Sequence, residues 1–170
     1  MEIKVIGDPV LRKKAKKINF FDSALRNLVE EMISKMYESD GVGLAAPQVG
    51  LSISLFVFDD QTGRGPLEVI NPEILETSSE TVLGEEGCLS VPGIYADVER
   101  HLKIRARFYD RYGRSKGIEL EGYPARIFQH EYDHLQGVLF IDRIPKEAKA
   151  ILKPHLIEIA RSLKGVAGSR

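Results

Sequence analysis

The apolar positions of this chain fall into two alternating regimes. Leu25, Leu28, Val29, Met32, Ile33 and Met36 recur three and four residues apart. That spacing puts them on one helical stripe and predicts an amphipathic helix, opened by Phe21-Asp22-Ser23 and closed before Asp40-Gly41. From residue 51 the period shortens. Leu51, Ile53 and Leu55 alternate with serines, then Leu55-Phe56-Val57-Phe58 runs without a polar break, as a partly buried strand would. Short strands are predicted at 67–70, 74–77 and 81–83, broken by Asn71-Pro72 and Ser78-Ser79. Residues 102–109 set Leu102, Ile104, Ala106 and Phe108 against Lys103, Arg105 and Arg107, a strand with one wet face. A hairpin turn at 111–114 leads into a strand over 115–120.

The helical period returns at Tyr123-Pro124. Pro124 at the first helical position and Gly137 beyond the last turn bracket a helix of about 13 residues. A final helix is predicted from about residue 146 to 163, with Pro154 as a candidate kink. The order helix, antiparallel strands, helix, helix describes an α+β fold: one domain over residues 1–170, its strands packed around a central helix, with a further helix at the C-terminus.

Composition narrows the class. Lys and Arg number 24 against 25 Asp and Glu, and 43% of residues are hydrophobic, which excludes a disordered chain. A single cysteine excludes a disulfide framework and a four-cysteine zinc module. The even charge balance argues against a dedicated DNA or RNA binder. No apolar run approaches the length of a membrane span, and Met1 to Lys17 carries charge where a signal peptide needs an apolar core. Basic residues cluster at both ends, Arg12, Lys13, Lys14, Lys16 and Lys17 near the start and Lys146, Lys149, Lys153, Arg161, Lys164 and Arg170 near the finish. Solvated faces account for most such clusters; an electrostatic footprint for RNA is the sharper alternative.

Candidate chemistry sits on the predicted central helix. His130-Glu131-Tyr132-Asp133-His134 is an H-E-x-x-H sequence, and two His at i and i+4 project from one helical face toward a shared metal ion. Glu131 beside them is placed to act as a general base. A catalytic metal normally takes a third protein ligand. Phe140 stands where a metzincin would carry its third His, whereas Glu158 on the last helix would serve a thermolysin-like site. His101, His155 and the lone Cys88 complete the alternatives. Residues 41–46 satisfy the dinucleotide pattern G-x-G-x-x-G/A, but a helix precedes them and a strand follows, the reverse of what that fingerprint requires. A glycine-rich segment can instead let an extended peptide approach the backbone, with Gln48 offering a neutral amide.

Three segments together, GVGLAAPQVG at 41–50, EGCLS at 86–90 and QHEYDHL at 129–135, resemble the signature motifs of the peptide deformylases, in that family's order and approximate spacing. The opening Asp8-Pro9-Val10-Leu11-Arg12 is similar to the family's start, and the likeness spans residues 5 to 143. It implies a hydrolase that removes the N-formyl group from the formylmethionine of newly made polypeptides and releases formate. Cys88, His130 and His134 would hold one divalent metal, natively Fe(II), with Zn(II), Ni(II) or Co(II) able to replace it. Glu131 would act as general base and acid on metal-bound water. Gln48 and the backbone N–H of Leu89 would stabilise the oxyanion, and the backbone of Gly43 would receive the formamide N–H. The methionine pocket implied by the likeness comprises Val42, Gly43, Leu44, Glu86, Gly87, Tyr123, Arg126 through its aliphatic stem, and Ile127, with the His130 ring as one wall. The peptide beyond methionine would lie extended along residues 42–44.

The resemblance also suggests Asp133 as a partner of Arg100. Tyr95 departs from the family, several members of which carry Arg there. The short spacing between Gln48 and Cys88 is similar to the compact class of bacteria and organelles, implying the bacterial cytoplasm or, after loss of a transit peptide, an organelle matrix. Partners would be formylated nascent peptides and, through the basic C-terminal helix, the ribosome. Two rivals stand against this reading: an endopeptidase using Glu158, and a catalytically idle, metal-stabilised binding module.

Overall fold

The computed structural model describes residues 1–168; Arg170, part of the basic run, lies outside them, as does the side chain of Lys164. Helix α1 spans Ser23–Glu38, and the Asp22 side chain caps it by accepting from the Leu25 N–H at 3.0 Å. Strands β1 (Gly43–Ala45), β2 (Leu55–Phe58), β3 (Leu67–Thr77), β6 (Lys103–Tyr109) and β7 (Ser115–Glu121) form one antiparallel sheet in the order β1-β2-β3-β6-β7. Strands β4 (Thr81–Cys88) and β5 (Val91–His101) make a separate hairpin. Helix α2 covers Tyr123–Leu135 and α3 covers Lys146–Gly168.

The unbroken apolar run of β2 has a simple cause: both its faces are buried. Phe56 and Phe58 point into a core shared with Phe128 of α2, where the Phe56 and Phe128 rings meet edge-on at 5.1 Å. Leu55 and Val57 point the other way, onto Val29, Met32 and Met36 of α1. A third cluster joins Val91, Ile94 and Val98 of the hairpin to Leu139, Phe140 and Leu156. The helix carrying H-E-x-x-H is therefore clamped between the large sheet and the hairpin.

Several boundaries differ from the sequence expectation. Asn71-Pro72 does not end a strand. Asn71 adopts φ 51°, its side chain ties to both the N–H and the carbonyl of Ile18, and β3 absorbs the irregularity as a register shift between Ile70 and Glu73. Residues 51–53 are not strand, apart from an isolated bridge between Ile53 and Lys16. Strand β4 extends to Cys88, and β5 had no counterpart in the sequence reading: Pro92 and Gly93 interrupt its start, and its inward row Ile94, Ala96, Val98 ends on a charge, Arg100. Helix α3 runs through Pro154, as expected, and on to Gly168, past the expected end near residue 163. Among the described residues no helix is long and apolar enough to cross a membrane.

Candidate metal centre and cleft

Helix α2 delivers His130 and His134 to one face, one turn apart, with ring centroids 5.1 Å from each other. The end of β4 brings Cys88 to them, its Sγ 3.4 Å from His134 Nε2. One ligand atom from each of these three residues falls within a 4.8 Å cluster, the one such group among the described residues. The rival third ligands are elsewhere. Glu158 and His155 are exposed on α3, and His101 spends its Nδ1 on the Ser78 carbonyl at 2.8 Å.

The donor chemistry fits a divalent ion. A thiolate with two imidazoles is a set that iron, zinc, nickel and cobalt all accept. Burial pushes the His134 pKa well below its usual range, which keeps the imidazole neutral with a lone pair to give. At His130 burial acts in the same direction, but Cys88 and Glu86 overcome it and hold the pKa well above the usual range. Such surroundings favour any cation at that ring. Glu131 Oε1, in the cleft, is buried without a hydrogen-bond partner among the described residues, a costly state that a polar guest in the site would relieve.

Around the ligands lies a shell of fixed charge. Glu86 accepts from Arg100 at 2.8 and 2.9 Å and from Arg126 at 2.7 Å. Burial alone would raise its pKa, yet Arg100 and His130 outweigh burial and bring it to about 2. Glu86 is thus a carboxylate, and His130 Nδ1–H donates to it at 2.8 Å, leaving Nε2 as the ligand atom. Arg100 also donates to Asp133 at 2.7 Å, the pair the family likeness suggested, and Arg143 adds two bonds to Asp133 at 2.9 and 3.0 Å. Arg143 escaped the sequence reading, since nothing in its local pattern marks it.

A cleft of about 440 Å³ opens over the cluster, lined by Val42, Gly43, Gln48, Leu89, Tyr123 and Ile127 among others. Glu131 is buried at its floor, and burial, ahead of the opposing pull of His130, raises its pKa to about 7. Gln48 sits on the tight turn at Ala46–Val49. Its Oε1 accepts the Ala45 N–H at 2.9 Å, so the amide is oriented, and Nε2 points at Ser90 Oγ (3.1 Å) and Cys88 Sγ (3.4 Å).

Most of the residues expected at the methionine pocket do line this cleft, Glu86, Gly87 and Arg126 included. Leu44 does not. Its side chain is fully buried among the α1 core residues, because successive strand residues point to opposite faces and Gly43 takes the cleft side. Arg126 lines the cleft, but its guanidinium is spent on Glu86 and on hairpin carbonyls, a role its expected aliphatic contact did not include. Among the described residues strand β1 has β2 as its one strand neighbour, so its other edge carries no strand.

The sequence profile of the polypeptide deformylases matches residues 1–150. Peptide deformylase of Thermotoga neapolitana is 54% identical over 163 residues, covering 96% of this chain and 98% of its own. A crystal structure of the Thermotoga maritima enzyme superposes with TM-score 0.82 at 56% identity, over 85% of this chain and 97% of that one. The Arabidopsis thaliana peptide deformylase 1B structure, solved with an inhibitor, gives TM-score 0.94 at 44% identity, over 99% and 94% of the two chains.

Proposed function

The chain belongs to the polypeptide deformylase family, and on that premise we propose that it hydrolyses the formamide of N-formylmethionyl peptides, yielding formate and a free amine. The observation that carries this reading is the placement of Glu131: a carboxyl buried on the floor of a cleft, one residue from the His2Cys cluster. A divalent ion held by Cys88, His130 and His134 would polarise the formyl oxygen and lower the pKa of water.

The protein's own groups supply the rest. Glu131 takes a proton from the attacking water and returns it to the departing amine nitrogen. Gln48 Nε2 and the Leu89 N–H donate toward the oxygen as it gains charge. Gly43 offers backbone to the formamide, and the free edge of β1 can extend the sheet with substrate backbone through residues 42–44, the one sense in which Leu44 contributes. Val42, Tyr123 and Ile127 give the apolar wall for methionine. Fe(II) is the metal expected in the cell, and the bacterial cytoplasm or an organelle matrix, where formylated chains are made, is where the activity would act. Lys149, Lys153 and Arg161, exposed along α3, are the surface proposed for ribosomal RNA.

The test is formate release from a formyl-Met tripeptide by metal-loaded protein. Formate should appear stoichiometrically with free amine. Cleavage of internal peptide bonds without formate would overturn the reading in favour of an endopeptidase.

A further inference from the structure

The two elements that meet at the metal centre advance by nearly the same step. Four residues of helix rise about 6 Å, and two residues of strand rise about 6.6 Å. Over the length of the site the mismatch is small, so every fourth residue of α2 can face every second residue of β4. The contacts follow that rule. Arg126 lies on Gly84, with Nη1 3.3 Å from the Gly84 carbonyl. His130 meets Glu86 at 2.8 Å. His134 meets Cys88 at 3.4 Å. Three rungs, 126–84, 130–86 and 134–88, align a helix with a strand of a different sheet.

The first rung differs in kind from the other two. Arg126 reaches across both strands of the hairpin, donating from Nη1 to the Val98 carbonyl at 2.8 Å and to Glu86 at 2.7 Å, and from Nη2 to the Val82 carbonyl at 2.7 Å. A planar five-donor group suits this, where a lysine ammonium would not. Gly84 makes the fit possible: a Cβ there would stand 2.9 Å from Arg126 Cζ and Nη2. Its φ is not in the left-handed region, so the constraint is space for the guanidinium.

We propose that the Arg126–Gly84 rung is a positioning element that sets the register of the β4–β5 hairpin on α2, and thereby the placement of the Cys88 thiolate against the two imidazoles. Arg126 touches no reacting atom in this role. A slip of the hairpin along the helix would carry Cys88 away from His134, since the other two rungs hang from the same strand. The proposal rests on the reading of Cys88, His130 and His134 as metal ligands.

The test uses the full chain loaded with Co(II), whose visible bands and thiolate charge-transfer absorption report ligand geometry. Gly84→Ala and Arg126→Ala should each shift the thiolate band and speed Co(II) loss to a chelator by about tenfold or more, the usual effect of removing a group that orients a ligand. Arg126→Lys should recover part of the loss, because its ammonium still meets Glu86 and not the carbonyls. The double variant should be no worse than Arg126→Ala alone, since Gly84 acts only through Arg126. Gly117→Ala, on β7 where a Cβ meets nothing within 4 Å, should match the parent.

Parent-like spectra and release rates in both single variants would overturn the proposal. So would additive losses in the double variant, or losses that merely track the melting temperatures of the metal-free proteins. Formate release is not among these readouts. Absent formate with normal Co(II) retention would sink the deformylase reading and leave the register intact.

Discussion

Gly43 leaves room for Glu131. A Cβ built on residue 43 would stand 2.5 Å from the Glu131 Oε2, 2.8 Å from Cδ and 2.9 Å from Cγ. The edge strand and the Glu131 carboxylate therefore occupy adjoining space in the cleft, with no room for a side chain between them. Gly43→Ala should displace the carboxylate and lower kcat/KM about 100-fold, the scale of a misplacement near 1 Å at a reacting group. Far-UV circular dichroism and metal content should stay at parent values, which separates displacement from unfolding.

Glu131→Gln removes the proton acceptor while keeping the shape. Turnover of a formyl-Met tripeptide should fall by about 10²–10⁴. The metal should remain bound, because none of the three ligands is altered. A variant that kept parent turnover would show that Glu131 is not the proton acceptor.

Cys88→Ala and Glu158→Ala decide the third ligand. The first should leave metal content near zero after dialysis, and the second should leave it at one ion per chain. Stripping the parent with a chelator should lower its melting temperature, since an ion at 1,000 times its dissociation constant stabilises by about 4 kcal/mol.

Glu68 and Arg111 join β3 to the β6–β7 turn through three bonds of 2.8 to 3.0 Å. Burial would raise the Glu68 pKa, yet the Arg111 bonds prevail and lower it. A depressed pKa in the folded state contributes stability above the unfolded pKa and loses it as pH falls through the folded one. Glu68→Gln should thus cost about 2 kcal/mol in urea unfolding at pH 7. The gap between variant and parent should narrow as the pH falls below 4.5, toward the lowered pKa of the folded state.

Charge reversal of Lys149, Lys153 and Arg161 should weaken ribosome binding at low salt and leave tripeptide turnover alone. Unchanged binding would remove α3 as the docking surface.

Local periodicity made much of this protein legible from the chain alone. The stripe from Leu25 to Met36 gives α1, and Pro124 with Gly137 brackets α2 to within two residues at its end. His130 and His134 share a face because four residues are close to one helical turn, whatever lies around them. The motifs at 41–50, 86–90 and 129–135 named the family on their own. These features depend on neighbours in sequence, so the sequence contains them.

The tertiary structure decided the remainder. Cys88 and Glu158 were both open as third ligand until the β4–β5 hairpin folded onto α2 and left Glu158 exposed. Leu44 belongs to the core and Gly43 to the cleft, a division set by which way β1 faces when it pairs with β2. Strand β5 is broken at its start by Pro92 and Gly93, and its inward row Ile94, Ala96, Val98 ends on Arg100, a charge buried only because Glu86 and Asp133 meet it in the fold. Glu86 holds His130, and Arg126 spans the hairpin, only because two elements with rises of about 6 and 6.6 Å per repeat are set side by side. Periodicity is a property of the backbone's own geometry, whereas the register between two elements is fixed by contacts across many residues of chain.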